Sequence, residues 1–159
     1  MGCLKTSAPT TAATQESGAD EAWAPVCADN PRPLVPEGVY EAMGTRARKR
    51  DLKLWKREGI VVDFQILDGP FQGTVLERFY SITPRVGTIS SFYREWVVAA
   101  NRLPRRGEHL RASKFCGKLF RVEVATVKKD WNQKELPKLL QYSKVARVLE
   151  LLASNEAIQ

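Results

Sequence analysis

Two stretches of this chain alternate apolar and polar side chains with a period of two. In Ile60-Val61-Val62-Asp63-Phe64-Gln65-Ile66-Leu67, Val62, Phe64 and Ile66 alternate with Asp63 and Gln65. In Leu119-Phe120-Arg121-Val122-Glu123-Val124-Ala125-Thr126-Val127, Phe120, Val122, Val124 and Thr126 share one face, and Arg121, Glu123 and Ala125 share the other. That period is the mark of a half-buried strand, because successive side chains of a strand point to opposite faces. No internal repeat and no alternation of strands with crossover helices accompanies it, which argues against a doubly wound sheet. At 159 residues the chain is too short for a TIM barrel, which needs roughly 250. No apolar run reaches the 18 or so residues of a membrane-spanning helix.

The other elements fall around these two strands. Gly38-Val39-Tyr40-Glu41-Ala42 follows Pro36 and begins an extended segment. Asp68-Gly69-Pro70 is a turn, and Phe71 to Tyr80 reads as the next strand, with Gly73 as a bulge. Pro84 to Thr88 is a loop. From Ser90 to Asn101 the spacing becomes helical, with Phe92, Trp96 and Ala99 on one stripe and a serine at the N-cap. Lys128 to Gln133 reads as the tip of another hairpin or a loop. Leu139, Leu140, Tyr142, Val145, Val148 and Leu149 suggest a closing segment that looks helical from Lys144 to Leu152. The expected fold is therefore mostly β. It is a small antiparallel Greek-key barrel of the OB type, with a helix inserted between the third and fourth strands and a C-terminal helical segment. Phe64, Phe79, Phe120 and Trp96 are expected in its core.

Charge divides the chain differently. The formal net charge is +7, from 25 basic and 18 acidic residues. Residues 1–35 hold only Lys5 and Arg32 against Glu16, Asp20, Glu21 and Asp29, which leaves 23 basic and 14 acidic residues in the remaining 124. Residues 1–34 read as an acidic disordered tail, rich in Ala, Thr, Ser and Pro and without apolar periodicity. Residues 35–159 read as a basic domain suited to a polyanion. The opening Met1-Gly2-Cys3-Leu4-Lys5-Thr6 fits the short pattern for myristoylation, with Cys3 as a palmitoyl site. No secretory apolar region follows it.

Signals of catalysis are sparse. Cys3, Cys27 and Cys116 form no C-x-x-C pair, the single histidine is His109, and no phosphate-binding glycine loop is present. No cofactor and no metal is expected. Asp63, Glu77 and Glu123 fall on strands and are the only candidate magnesium ligands for a nuclease. Each alternates with core residues, which makes a solvated face the simpler reading.

Binding signals are denser. A single-stranded nucleic-acid site needs cations along the phosphates and flat rings against the bases. Arg46, Arg48, Lys49, Arg50, Lys53, Lys56 and Arg57 crowd twelve residues around Trp55. Arg78, Tyr80 and Arg85 interleave again, as do Tyr93 and Arg94, and Lys128, Lys129 and Trp131; Arg105 and Arg106 form a further patch. The expected interface comprises Arg48, Arg50, Lys53, Trp55, Lys56, Arg57, Arg78, Tyr80, Tyr93, Arg105, Arg106, Lys128, Lys129 and Trp131. Trp55 and Trp131 are the foremost stacking candidates. Phe79 and Tyr80 are adjacent on a strand, so one must face outward. No helix-turn-helix or zinc-finger pattern points to duplex readout.

Three stretches also carry a resemblance. Val35-Pro36-Glu37-Gly38-Val39-Tyr40, then Phe64 to Gly73 with its Ile66-Leu67-Asp68-Gly69-Pro70-Phe71-Gln72-Gly73 core, then Phe115-Cys116-Gly117-Lys118-Leu119-Phe120-Arg121-Val122 resemble small single-stranded DNA-binding-like proteins of phages and mobile elements. The resemblance spans roughly residues 35–130. It implies an OB fold and a cytoplasmic protein that handles single strands in replication or recombination. It assigns no binding residue. Two other functions fit the same residues: an adaptor subunit whose basic face covers nucleic acid held by partners, and a metal-dependent nuclease. A protein partner could use the tail or an edge strand. No membrane partner is expected.

Overall fold

A computed structural model of the chain describes residue 28, residues 31–52 and residues 57–154. Residues 1–27, 29 and 30 of the expected tail, with Gly2 and Cys3, and the candidate residues Lys53, Trp55 and Lys56 lie outside the described residues. Five strands and one α-helix make up the rest: β1 Gly38–Leu52, β2 Arg57–Ile66, β3 Val75–Ile82, α1 Ser91–Ala100, β4 Lys118–Val127 and β5 Tyr142–Ser154. The strands form one sheet in the order β3-β2-β1-β4-β5, and every neighbouring pair is antiparallel. The described residues are thus mostly β with one helix between the third and fourth strands.

The alternation in β2 and β4 does what the period requires. Val62, Phe64 and Ile66 of β2 and Phe120, Val122 and Val124 of β4 are buried. Phe92, Trp96 and Ala99 of α1 pack on the same core. Phe115, fully buried before β4, sits at the centre of an aromatic cluster. It stacks on Tyr80 at 5.7 Å and lies edge-on to Phe64 at 6.3 Å. Such pairs add about 0.5–1.5 kcal/mol beyond the area they bury.

The stretches that carry the family resemblance serve this architecture. The Tyr40 hydroxyl donates to the Pro36 carbonyl, and its ring meets Phe71 edge-on at 6.4 Å. Asp68 accepts from the Glu41 amide, and the Leu67 amide donates to the Glu41 carbonyl. Gly44 has no room for a side chain, because a Cβ there would lie 2.0 Å from the Phe115 carbonyl oxygen. Gly117 donates back to Gly44, and the buried Lys118 ammonium donates to the Ala99 carbonyl at the C-terminal end of α1, where a cation is favoured.

Two elements differ from expectation. Gly73 is a turn residue with φ of 92°, its amide donating to the Ile66 carbonyl, so β3 starts at Val75 and Phe71 belongs to the turn. The closing segment is a strand throughout. Its pairing with β4 is broken by bulges: Phe120, Val122 and Val124 face Leu151, Val148 and Val145. Two residues of β4 thus span three of β5, with one extra β5 residue in each step. The apolar positions of β5 therefore recur every three residues, which imitates one face of a helix.

The ends of the sheet, β3 and β5, are in contact but share no ladder. Glu95 of α1 stands between them. It is 4% exposed, pairs with Arg78 of β3 at 2.7 Å, and accepts from the Val148 amide of β5 at 2.5 Å. One carboxylate thus supplies a link that backbone groups do not. Before β1, Pro33 and Val35 are fastened to the start of β5: the Ser143 amide donates to the Pro33 carbonyl, and the Ser143 hydroxyl bonds both the amide and the carbonyl of Val35.

Candidate nucleic-acid interface

β1 pairs with β4 only from Gly38 to Met43, and from Arg46 onward it pairs with β2 alone. The strands β1, β2 and β3 therefore continue as a meander beyond the end of β4. Against this meander lies the segment from Pro104 to Cys116, held in place by α1: the Trp96 indole donates to the Arg111 carbonyl at 3.1 Å, and the Arg102 guanidinium lies 5.2 Å from the Trp96 ring centroid. Between the two walls runs an open groove of about 1130 Å³.

One wall comprises Ala47, Arg48 and Lys49 of β1, Glu58, Gly59 and Ile60 of β2, and Ile82 to Val86 after β3. The other comprises Pro104 to Leu110, Ala112, Ser113 and Cys116, with Phe92 and Tyr93 of α1 between them. Arg48, Lys49, Arg85, Arg105 and Arg106 supply five cations, and Glu58 and Glu108 the two carboxylates. Lys49 and Glu58 are 3.5 Å apart and exposed. Glu108 is held by the Arg102 side chain and lies below the usual carboxylate range for that reason. Among the described residues, Arg85, Arg105 and Arg106 make no ion pair, which leaves three guanidinium groups on the groove for a ligand. Burial pushes the Cys116 thiol up, so it is a poor nucleophile.

Those expected interface residues that are described fall into four groups. Arg48, Tyr93, Arg105 and Arg106 come together at the groove. Arg50 is exposed on β1 beside it, opposite Gly59, and Arg57 opens β2. Lys128, Lys129 and Trp131 are exposed on the β4–β5 connection and do not line the groove. Arg78 and Tyr80 are corrections. Tyr80 is fully buried and Arg78 pairs with Glu95 inside the seam, its guanidinium 4.7 Å from the Tyr80 ring centroid. The Tyr80 phenol, desolvated and beside Glu95, is held well above its ordinary value. Neither side chain can meet a strand of nucleic acid.

Phe79 was expected inside and is instead 37% exposed. It covers Gly59, where an added Cβ would come within 2.3 Å of the ring. The signal that would have found it is the composition of the two faces of β3: Leu76, Tyr80 and Ile82 share the face of Arg78, whereas Phe79 shares its face with Glu77 and Ser81. On that outer face Arg48 meets Asp63 at 3.4 Å and Glu77 at 2.6 Å. Glu123 pairs instead with Arg147 on the far side of the sheet order. The three strand carboxylates thus do not converge. Among the described residues, no three His, Cys, Asp or Glu side chains are grouped to hold a metal ion, and no helix is long and apolar enough to cross a membrane. A scan against protein-family models finds no match for this chain, and a search of the curated proteins finds none.

Proposed function

We propose that this chain is an OB-like protein that binds single-stranded DNA without sequence preference, through the groove between the meander and the Pro104–Cys116 segment. The observation that carries the reading is the presence of Arg85, Arg105 and Arg106 around a groove with Tyr93 between its walls. Cations outside any ion pair attract phosphates, and an open groove of about 1130 Å³ is at the upper end of small-molecule sites and suits a length of polymer. Support for the OB-like reading comes from the strand order, the helix between β3 and β4, and the contact between the two sheet edges. An OB fold is a partly open five-stranded barrel that binds oligonucleotides on its second and third strands and neighbouring loops. The exposed Phe79 lies on β3, and Arg85 lies in the loop that follows it. A cytoplasmic role in replication or recombination of a phage or mobile element follows from the sequence resemblance.

The test is fluorescence anisotropy of a labelled single strand of about 30 nucleotides, beside a duplex and an RNA of the same sequence. Preference for the single strand, with affinity falling steeply between about 50 and 200 mM salt, is expected. Weak binding to all three would overturn the reading and favour an adaptor subunit.

A further inference from the structure

The β4–β5 connection presents large apolar side chains to solvent. Leu139 is 98% exposed, Leu140 62% and Trp131 71%. The segment is firmly built. Asp130 accepts from the amides of Asn132 and Lys134, and Lys129 bridges to Glu135. The Leu136 amide donates to the Lys128 carbonyl, and the Gln141 side chain donates to Leu136. That last bond folds the short turn Lys138–Leu140 back onto the base of the small hairpin that carries Lys128 and Lys129. Two leucines and a group of lysines are thus held together by hydrogen bonds, away from the groove.

We infer that this connection is a docking surface for an acidic segment of a partner protein that carries apolar anchors. Charge complementarity selects the occupant. Lys128, Lys129, Lys134 and Lys138 are exposed, against Asp130, which holds the turn, and the exposed Glu135, so residues 128–141 keep a net charge of +2. A second copy of the same surface would bring lysines against lysines. A nucleic acid would satisfy the lysines and find a ring at Trp131 but would leave Leu139 and Leu140 uncovered, because neither has a face for a base to stack on. An acidic peptide with leucine or aromatic anchors covers both at once.

The full chain would be titrated with a fluorescently labelled acidic peptide bearing leucine and tryptophan anchors, with a polyglutamate of equal length as the charge-only probe. The anchored peptide should bind, and more tightly than polyglutamate. The doubly substituted Leu139→Ser, Leu140→Ser protein should lose about tenfold in peptide affinity while keeping its affinity for single-stranded DNA. Both side chains are exposed, so the substitutions spare the core, and the thermal melt checks this. Unchanged peptide affinity in that protein would overturn the inference, as would equal binding of the two peptides. A fall in DNA affinity without a fall in peptide affinity would assign the surface to nucleic acid. Failure of the parent protein to bind DNA leaves the peptide result intact and counts only against the proposed function.

Discussion

Two carboxylates, one buried and one half-buried, respond in opposite ways to removal. Glu95 closes the seam by binding Arg78 and the Val148 amide. Glu95→Ala leaves a guanidinium 14% exposed and a backbone amide without their partner. Breaking a buried pair from one side costs about 3–5 kcal/mol, so a urea melt of the variant should show a loss of that order. A loss below about 1 kcal/mol would mean that water replaces the carboxylate. Asp63 is different. Desolvation raises its carboxyl above the ordinary 3.8, partly offset by Arg48. One of its oxygens is buried without a hydrogen bond among the described residues. The folded chain therefore holds this proton more tightly than the unfolded chain. The group costs stability as pH rises from about 3.8 through its raised pKa. Asp63→Asn should match the parent below that window and exceed it at neutral pH, since Arg48 retains Glu77 at 2.6 Å. A stability difference that stays constant across pH would rule this out. At this scale the sequence misled once, at Phe79 and Tyr80. Adjacent aromatics on a strand must part, and the company of Leu76 and Ile82 on the face of Tyr80 is the signal that turns it inward, while the buried Glu95 accounts for Arg78 on that same face.

Elements with one clean period were legible. β2, β4 and α1 lie where alternation and the Phe92, Trp96, Ala99 stripe place them. β5 was not, because its bulges convert a period of two into a period of three. Leu149 is the extra residue between the pairs Arg121–Glu150 and Val122–Val148. Deleting it should remove that bulge and leave the pairs on either side in register, because the extra residue of a bulge has no partner of its own. Deleting Val122 from β4, whose ladder to β1 is unbroken, should slip that strand by one residue and destabilise the chain far more, as read from paired thermal melts. Equal melts would mean that the bulge at Leu149 matters as much as the register. The turn at Gly73 was misplaced for a related reason. A glycine in an apolar run signals either a bulge or a left-handed turn, and only its bond to Ile66 decides between them.

At the scale of the molecule, the candidate site is a product of long-range folding. The groove joins β1, the end of β3, α1 and the segment after it, which are up to about seventy residues apart, and no local pattern announces such a meeting. The sequence did disclose the ingredients: Arg48 and Tyr93 came from counting cations beside rings, and Arg105 and Arg106 from a cationic patch. It could not separate them from Arg78 and Tyr80, which have the same composition and the opposite burial. Replacing Arg105 and Arg106 by alanine should reduce the slope of log affinity against log salt by about 0.7 for each phosphate that the protein no longer neutralises. Anisotropy at several salt concentrations reads that slope, and an unchanged slope would remove both residues from the interface.

The seam between β3 and β5 has a consequence for the protein at high concentration. An unpaired strand edge is a template on which other chains can add and begin a fibril. In this sheet the two terminal strands lie in contact, with the Glu95 carboxylate bound across them. Each edge is therefore guarded by the other, and one side chain acts as the catch. A chain that loses it would expose two adhesive borders at once, so self-association, seen as light scattering that grows with concentration, would be the outward sign of an opened seam.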